Sequence, residues 1–145
     1  MSIPKFEKNG NLPAGIHLAT WQEVEDILGF GKRRQKLIAG IKMACEPLKN
    51  AGCRKIYIGG SFATSKRWPQ DFDICWDEED VNLVLLNSLE PILWGNRVNR
   101  AAQKSKYGGE LFPASMIADE LGQTYLEFFQ KDRNGNKKGI IQFNL

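Results

Sequence analysis

The sequence predicts an α/β (α+β) domain, and three observations carry that expectation. Stretches whose apolar residues recur every three or four positions, such as Leu37, Ile38, Ile41, Cys45 and Leu48, alternate with short β-branched or aromatic runs, such as Lys55-Ile56-Tyr57-Ile58-Gly59. Helix-capping and turn residues stand at the borders between the two kinds of segment. The 145 residues, 42% hydrophobic and 26% charged, suffice for one ordinary core, and no linker, repeat or low-complexity tract divides them. Residues 1–145 therefore read as a single domain.

Taken in order, residues 1–19 hold Pro4, Gly10, Pro13 and Gly15 and read as an extended arm with turns at Asn9-Gly10 and Pro13-Ala14-Gly15. His17, the single histidine, has no ligand-spaced partner and reads as a surface or packing residue. Thr20-Trp21-Gln22-Glu23 is a capping box, opening a short helix with Trp21, Val24, Ile27 and Leu28 inward and Gly29 at its end. A longer helix follows from about Lys32 to Ala51, kinked or split near Pro47, with Gly52 as its stop. Lys55–Gly59 is a strand. Ser61 to Pro69 is a short helix or turn, and a second strand runs through residues 71–76.

Asp77-Glu78-Glu79-Asp80 admits a metal-site reading, but acids at a helix start are simpler because they offset the macrodipole; Val81, Val84, Leu85 and Leu89 supply that helix's apolar stripe. Pro91 begins a further segment through Trp94 and Val98 to Tyr107, with Arg97, Arg100, Lys104 and Lys106 on its outer face. Residues 108–113 form a short strand ended by Pro113. Thr124-Tyr125-Leu126-Glu127 is another capping box, followed by Phe128 and Phe129 as core anchors. An Asn134-Gly135 turn leads to a last strand, 139–145, expected at a sheet edge.

A net charge of +3 permits contact with RNA or an acidic partner without demanding either. Gly31-Lys32-Arg33-Arg34-Gln35-Lys36 concentrates four cations, as a solvated helix start or a nucleic-acid patch. Cys45, Cys53 and Cys75 lack C-x-x-C spacing and read as reduced, buried thiols, not a zinc site or disulfide framework. No apolar run approaches the roughly 18 residues of a membrane span. The start of the chain lacks an apolar targeting segment, so the expected compartment is the cytoplasm.

The chemistry concentrates at Ile58-Gly59-Gly60-Ser61-Phe62 and, with nine residues between Ser61 and the first acid, Asp71-Phe72-Asp73. A glycine-serine turn after a strand can hold phosphates against backbone N–H groups. In the next strand Asp71, Asp73 and Cys75 share one face while Phe72, Ile74 and Trp76 share the other. Two carboxylates so placed repel unless a cation lies between them, which favours divalent metal. Turn and carboxylates together point to phosphoryl or nucleotidyl transfer.

Over about residues 33–76 the chain resembles the DNA polymerase beta-like nucleotidyltransferase superfamily. Its signature is a hydrophobic residue with Gly-Gly/Ser, then about nine to thirteen residues, then Asp-hydrophobic-Asp/Glu-hydrophobic; Gly60-Ser61 and Asp71-Phe72-Asp73-Ile74 match it. In size the chain is similar to the minimal nucleotidyltransferases often found in toxin–antitoxin pairs. It departs from many of them in having Phe62, not arginine, after the turn and Gln70, not serine, before Asp71. The resemblance implies a small mixed β-sheet flanked by helices and a two-metal site built from three carboxylates. The third would be Glu110, on the strand after the paired aspartates; Glu127 competes but is already the partner in a capping box.

On this reading Asp71, Asp73 and Glu110 bind Mg²⁺ or Mn²⁺. Gly59, Gly60 and Ser61 hold the phosphates of an NTP, with ATP the leading candidate. Lys66 and Arg67 neutralise the leaving pyrophosphate. The acceptor is a protein or RNA hydroxyl. The alternatives are a catalytically idle antitoxin-like module that docks on a cognate partner through Trp68 and Trp94, and an RNA-binding domain using residues 32–36.

Overall fold

A computed structural model describes residues 3–94 and 99–145. In chain order the elements are β1 (Gly15–Ala19), α1 (Trp21–Leu28), α2 (Lys32–Asn50), β2 (Lys55–Gly59), β3 (Phe72–Trp76), α3 (Leu83–Leu89), α4 (Asn99–Tyr107), β4 (Gly109–Pro113), α5 (Tyr125–Phe128) and β5 (Gly139–Asn144). Short 3-10 turns occupy Ser61–Ala63 and Pro91–Leu93. Among the described residues no helix is long and apolar enough to cross a membrane.

The five strands form one mixed sheet in the order β1-β5-β2-β3-β4. β1 runs parallel to β5 and β3 parallel to β4, while β2 is antiparallel to both β5 and β3. Strand alternation sorts the side chains into two layers. Ile56, Ile58, Phe72, Ile74, Trp76, Leu111, Ile141 and Phe143 pack with Leu37, Ile38, Ile41 and Leu48 of α2 and with Val24 and Leu28 of α1 in the main core. Tyr57, Cys75, Phe112 and Ile140 face the opposite way, into a smaller core closed by Ala114 and Phe129 with Tyr125 and Leu126. Helices thus cover one face of the sheet fully, while the second face is covered only in part.

The helical expectations for α1 and α2 match the structure. The Thr20–Glu23 capping box is formed, and Leu37, Ile38, Ile41, Cys45 and Leu48 are all buried. Pro47 does not split α2, which continues to Asn50. The arm read over residues 1–19 ends in an edge strand, because Ile16–Ala19 finds a parallel partner in β5. That pairing also corrects the placement of the last strand: β5 lies inside the sheet, between β1 and β2.

The start of α3 differs as well. Asn82 caps it, accepting from Leu85 N–H, and the acids at 77–80 lie in the preceding turn. Its inward residue is Leu86, whereas Val84 is 82% exposed and Leu85 and Leu89 also face solvent. The unbroken apolar run Leu83-Val84-Leu85-Leu86 leaves the register of so short a helix ambiguous in the sequence. Phe129 is a core anchor as expected, but Phe128 is exposed. Arg97 and Val98 lie outside the described residues.

The cation run at the head of α2 resolves into two groups. Arg34 is fully buried, with no carboxylate partner among the described residues. Instead all five of its N–H donors are used on backbone carbonyls: Nε to Lys66 at 3.1 Å, one terminal nitrogen to Leu28 and Phe62 at 3.2 and 2.8 Å, the other to Thr64 and Lys66 at 2.5 and 2.6 Å. Its guanidinium also lies 4.2 Å from the Phe30 ring centre and 5.1 Å from that of Phe62. Burial lowers its pKa to about 10, which still leaves it charged at neutral pH. Arg33 extends the clamp by donating to the Pro69 carbonyl at 3.0 Å and to that of Gln70. The loop between β2 and β3 is therefore tied to α2 along most of its length.

Candidate active site

β2 ends at Gly59, which stands opposite Asp73 of β3, and Asp73 stands beside Glu110 of β4 in the parallel register. The alternation that sends Phe72, Ile74 and Leu111 to the helices leaves Asp73 and Glu110 on the partly covered face. Neighbouring strands are about 4.8 Å apart, so these two carboxylates are side by side. Asp71, one residue before β3, joins them through a shared cation: Lys104 Nζ is 3.5 Å from Asp71 Oδ2 and 3.5 Å from Glu110 Oε1. Arg100, one helical turn before Lys104 on α4, donates to Glu110 Oε2.

The turn after β2 is built to approach this group closely. Gly60 has φ +64°, and a Cβ added there would lie 2.2 Å from Asp73 Oδ2. Ser61 opens the 3-10 turn, and its hydroxyl has no hydrogen-bond partner among the described residues. Gly59 lies beneath the ring of Phe129, where a Cβ would be 3.0 Å from the Phe129 side chain. Gly60→Ala is expected to displace the Asp73 carboxylate and to cost about 1–3 kcal/mol of stability from backbone strain. Thermal unfolding reads the second effect, and an alanine variant as stable as the parent would show that the turn has room to spare.

Gly60, Ser61, Lys66, Asp71, Asp73 and Glu110 line a single open cleft of about 1020 Å³. Its electrostatics are uneven. Asp73 is half-buried, and burial, helped by the charges of Asp71 and Glu110, raises its pKa to about 6 against the partial compensation of Lys104 and Lys138. Burial pushes Glu110 the same way, but the hydrogen bond and charge of Arg100, with Lys104, outweigh it and hold its carboxyl below the usual range. Lys138 is held below the usual lysine value by desolvation, which the charges of Asp73 and Asp132 only partly offset. Lys131 and Arg133 extend the positive rim, and Phe112 stacked on Tyr125 at 3.9 Å forms an aromatic wall. Among the described residues no three His, Cys, Asp or Glu side chains converge as a ready-made metal cage. Glu110 is turned to its two cations instead.

The cleft departs from the sequence expectation at Arg67. Arg67 does not join Lys66 there: successive loop residues diverge, and Arg67 faces a second pocket with Trp68. Arg100 and Lys104 are exposed, as outer-face cations would be, but their spacing of four also brings both to the carboxylates, a signal visible once Glu110 is given a place. Lys106 likewise binds Glu90. Lys138 was missed because it precedes β5, and only the interior position of that strand brings it near Asp73. Glu127 stays in its capping box, receiving hydrogen bonds from Thr124. Cys75, on the aspartate face, is buried in the small core, and burial raises its thiol well above the usual value.

The chain belongs to the family described as "Family of unknown function (DUF6932)", whose model matches residues 4–144. No curated protein and no solved structure matches it.

Proposed function

We propose that this protein is a metal-dependent nucleotidyltransferase that moves a nucleoside monophosphate from an NTP, with ATP the first to test, to a protein or RNA hydroxyl. One observation carries the reading. Two strands bring Asp71, Asp73 and Glu110 to one face of the sheet, at the end where the Gly60-Ser61 turn closes against Asp73. The donor set is all oxygen, which suits Mg²⁺ or Mn²⁺. Asp73, whose charge is undercompensated, is where a divalent cation would relieve the greatest electrostatic cost. Asp71 and Asp73, with Glu110, would hold the metal, which when bound supplies charge stabilisation to a phosphoryl group in transfer.

The remaining roles fall to the chain's own side chains. Gly60 and Ser61 would orient the phosphates, and Lys66, Lys138 and Arg133 would balance the charge of the leaving pyrophosphate. Phe112, Tyr125 and Phe128 offer apolar surface for a base. The same reading puts the protein in the cytoplasm, where NTPs and Mg²⁺ are abundant, with a cognate toxin or antitoxin as partner.

The test is transfer of label. Protein is incubated with each α-labelled NTP, Mg²⁺ or Mn²⁺ and a lysate, and macromolecular products are separated. Label is expected with the parent protein and is lost with Asp71→Asn plus Asp73→Asn. Equal labelling by both proteins would eliminate the chemistry. One observation favours a second reading, an idle module that docks on a partner: Arg100 and Lys104 already neutralise Glu110. Absence of label, with a co-purifying protein retained by the double variant, would select it.

A further inference from the structure

The loop between β2 and β3 separates two pockets, and its residues divide between them. Thr64, Lys66 and Gln70 face the carboxylate cleft, while Ser65, Arg67 and Trp68 face a second cavity of about 480 Å³. The opposite wall of that cavity is Phe30, Lys32 and Arg33, at the head of α2. From these residues we infer that the second cavity is a binding site for single-stranded nucleic acid, with a base stacked on Trp68 and Phe30 and the flanking phosphates held by Lys32 and Arg67.

Four observations carry the inference. Trp68 is 64% exposed and Phe30 41%, so two large rings stay in solvent where burial would have stabilised the fold. Neither ring is left loose, because Arg34 lies against Phe30 and, with Arg33, ties down the loop that bears Trp68. Lys32 and Arg67 make no side-chain hydrogen bond or ion pair among the described residues. Among the described residues no acid lines the cavity, and none occupies the first turn of α2. Cations at a helix N-terminus oppose its dipole, so this placement works against local stability, a cost that a phosphate ligand would offset.

Rigid aromatic platforms beside uncommitted cations are what single-stranded nucleic acid recognises. Every base has a π-face to stack, and every linkage carries a charge to pair. A double helix keeps its bases stacked within and could not use the rings. The loop that bears Trp68 runs on through Gln70 to Asp71, which line the cleft, so a strand seated in the cavity would lie on the approach to the carboxylates. That step, from bound strand to acceptor, rests on the transfer reading above; the binding itself does not.

The experiment is fluorescence anisotropy with labelled 12-nucleotide single-stranded RNA, single-stranded DNA of the same sequence, the RNA duplex and an acidic peptide of matched charge. NTP and metal are omitted. Single strands are expected to bind at least tenfold tighter than duplex or peptide, and the RNA-to-DNA ratio identifies the natural source. Trp68→Ala is expected to weaken binding at least tenfold, with Trp68→Phe recovering most of it. Lys32→Ala plus Arg67→Ala should reduce the slope of log affinity against log salt by about 1.4, near 0.7 per contact. All these positions are exposed, and unchanged thermal unfolding would confirm that the variants fold. Asp71→Asn plus Asp73→Asn should bind no more weakly than the parent, because it removes only charges that repel phosphate, and this separates binding from transfer. No single-strand binding at low salt, or binding indifferent to Trp68 and to the two cations, would overturn the inference. An acidic peptide bound as tightly and equally dependent on Trp68 would overturn it in favour of protein docking.

Discussion

Arg34→Lys is expected to be among the most damaging substitutions in the molecule, although it keeps the charge. The guanidinium satisfies four carbonyls along the chain from Leu28 to Lys66 with its five N–H groups. An ammonium has three donors on one atom and cannot span that fork, so carbonyls are left unpaired around a buried cation. Loss of one partner from a buried charged network costs about 3–5 kcal/mol, which for a chain of this size is a fall in Tm on the order of 10 °C. The damage should be local at first: hydrogen exchange over residues 62–70 should rise before the sheet opens, since the arginine is what fixes that loop. A Tm within about 2 °C of the parent would show that water or a shifted loop satisfies these carbonyls instead.

Asp73→Asn should have the opposite effect on stability while removing function. Burial and the neighbouring acids raise the Asp73 pKa from 3.8 to about 6, so its charged form is disfavoured in the folded state. Above that value the group must ionise in an environment that resists it, and folding is weakened. Between about pH 4 and pH 6 the native state holds the proton more tightly than the unfolded chain, so this group's contribution to stability falls as pH rises through that window. Asparagine removes the titration. At pH 7 the variant should be more stable by about 1–2 kcal/mol, and the advantage should vanish as pH drops toward 4. Chemical unfolding of both proteins at several pH values measures the difference, in which groups common to both cancel. Added Mn²⁺ should raise the Tm of the parent and not that of the variant. An asparagine variant less stable than the parent at neutral pH would mean that Lys104 and Lys138 compensate Asp73 fully.

What could be read from the sequence follows from the range over which each signal acts. The capping boxes, the α2 stripe and the strand alternation at 55–59 and 72–76 are local, and the structure has them. The sheet order is not local. β1 is short and follows a proline- and glycine-bearing arm, so only its partner β5 makes it a strand. Arg34 shows the same limit. In a run of four cations nothing marks one as buried, because the carbonyls that hold it come mostly from a loop about thirty residues further on. The acids of the cleft were legible from spacing, Glu110 only with the help of resemblance, and the cations that answer them were not, since α4 and the approach to β5 reach the site only through the fold.

The interior position of β5 sets the order in which the sheet can be completed. Until residues 139–144 are in place, β1 has no strand to lie against and β2 offers a bare row of amide and carbonyl groups. The last of the five strands in chain order is thus the one that joins the two halves, and that closure brings together segments more than a hundred residues apart. Between the making of β2 and that of β5, a nascent chain would have to shield that open seam.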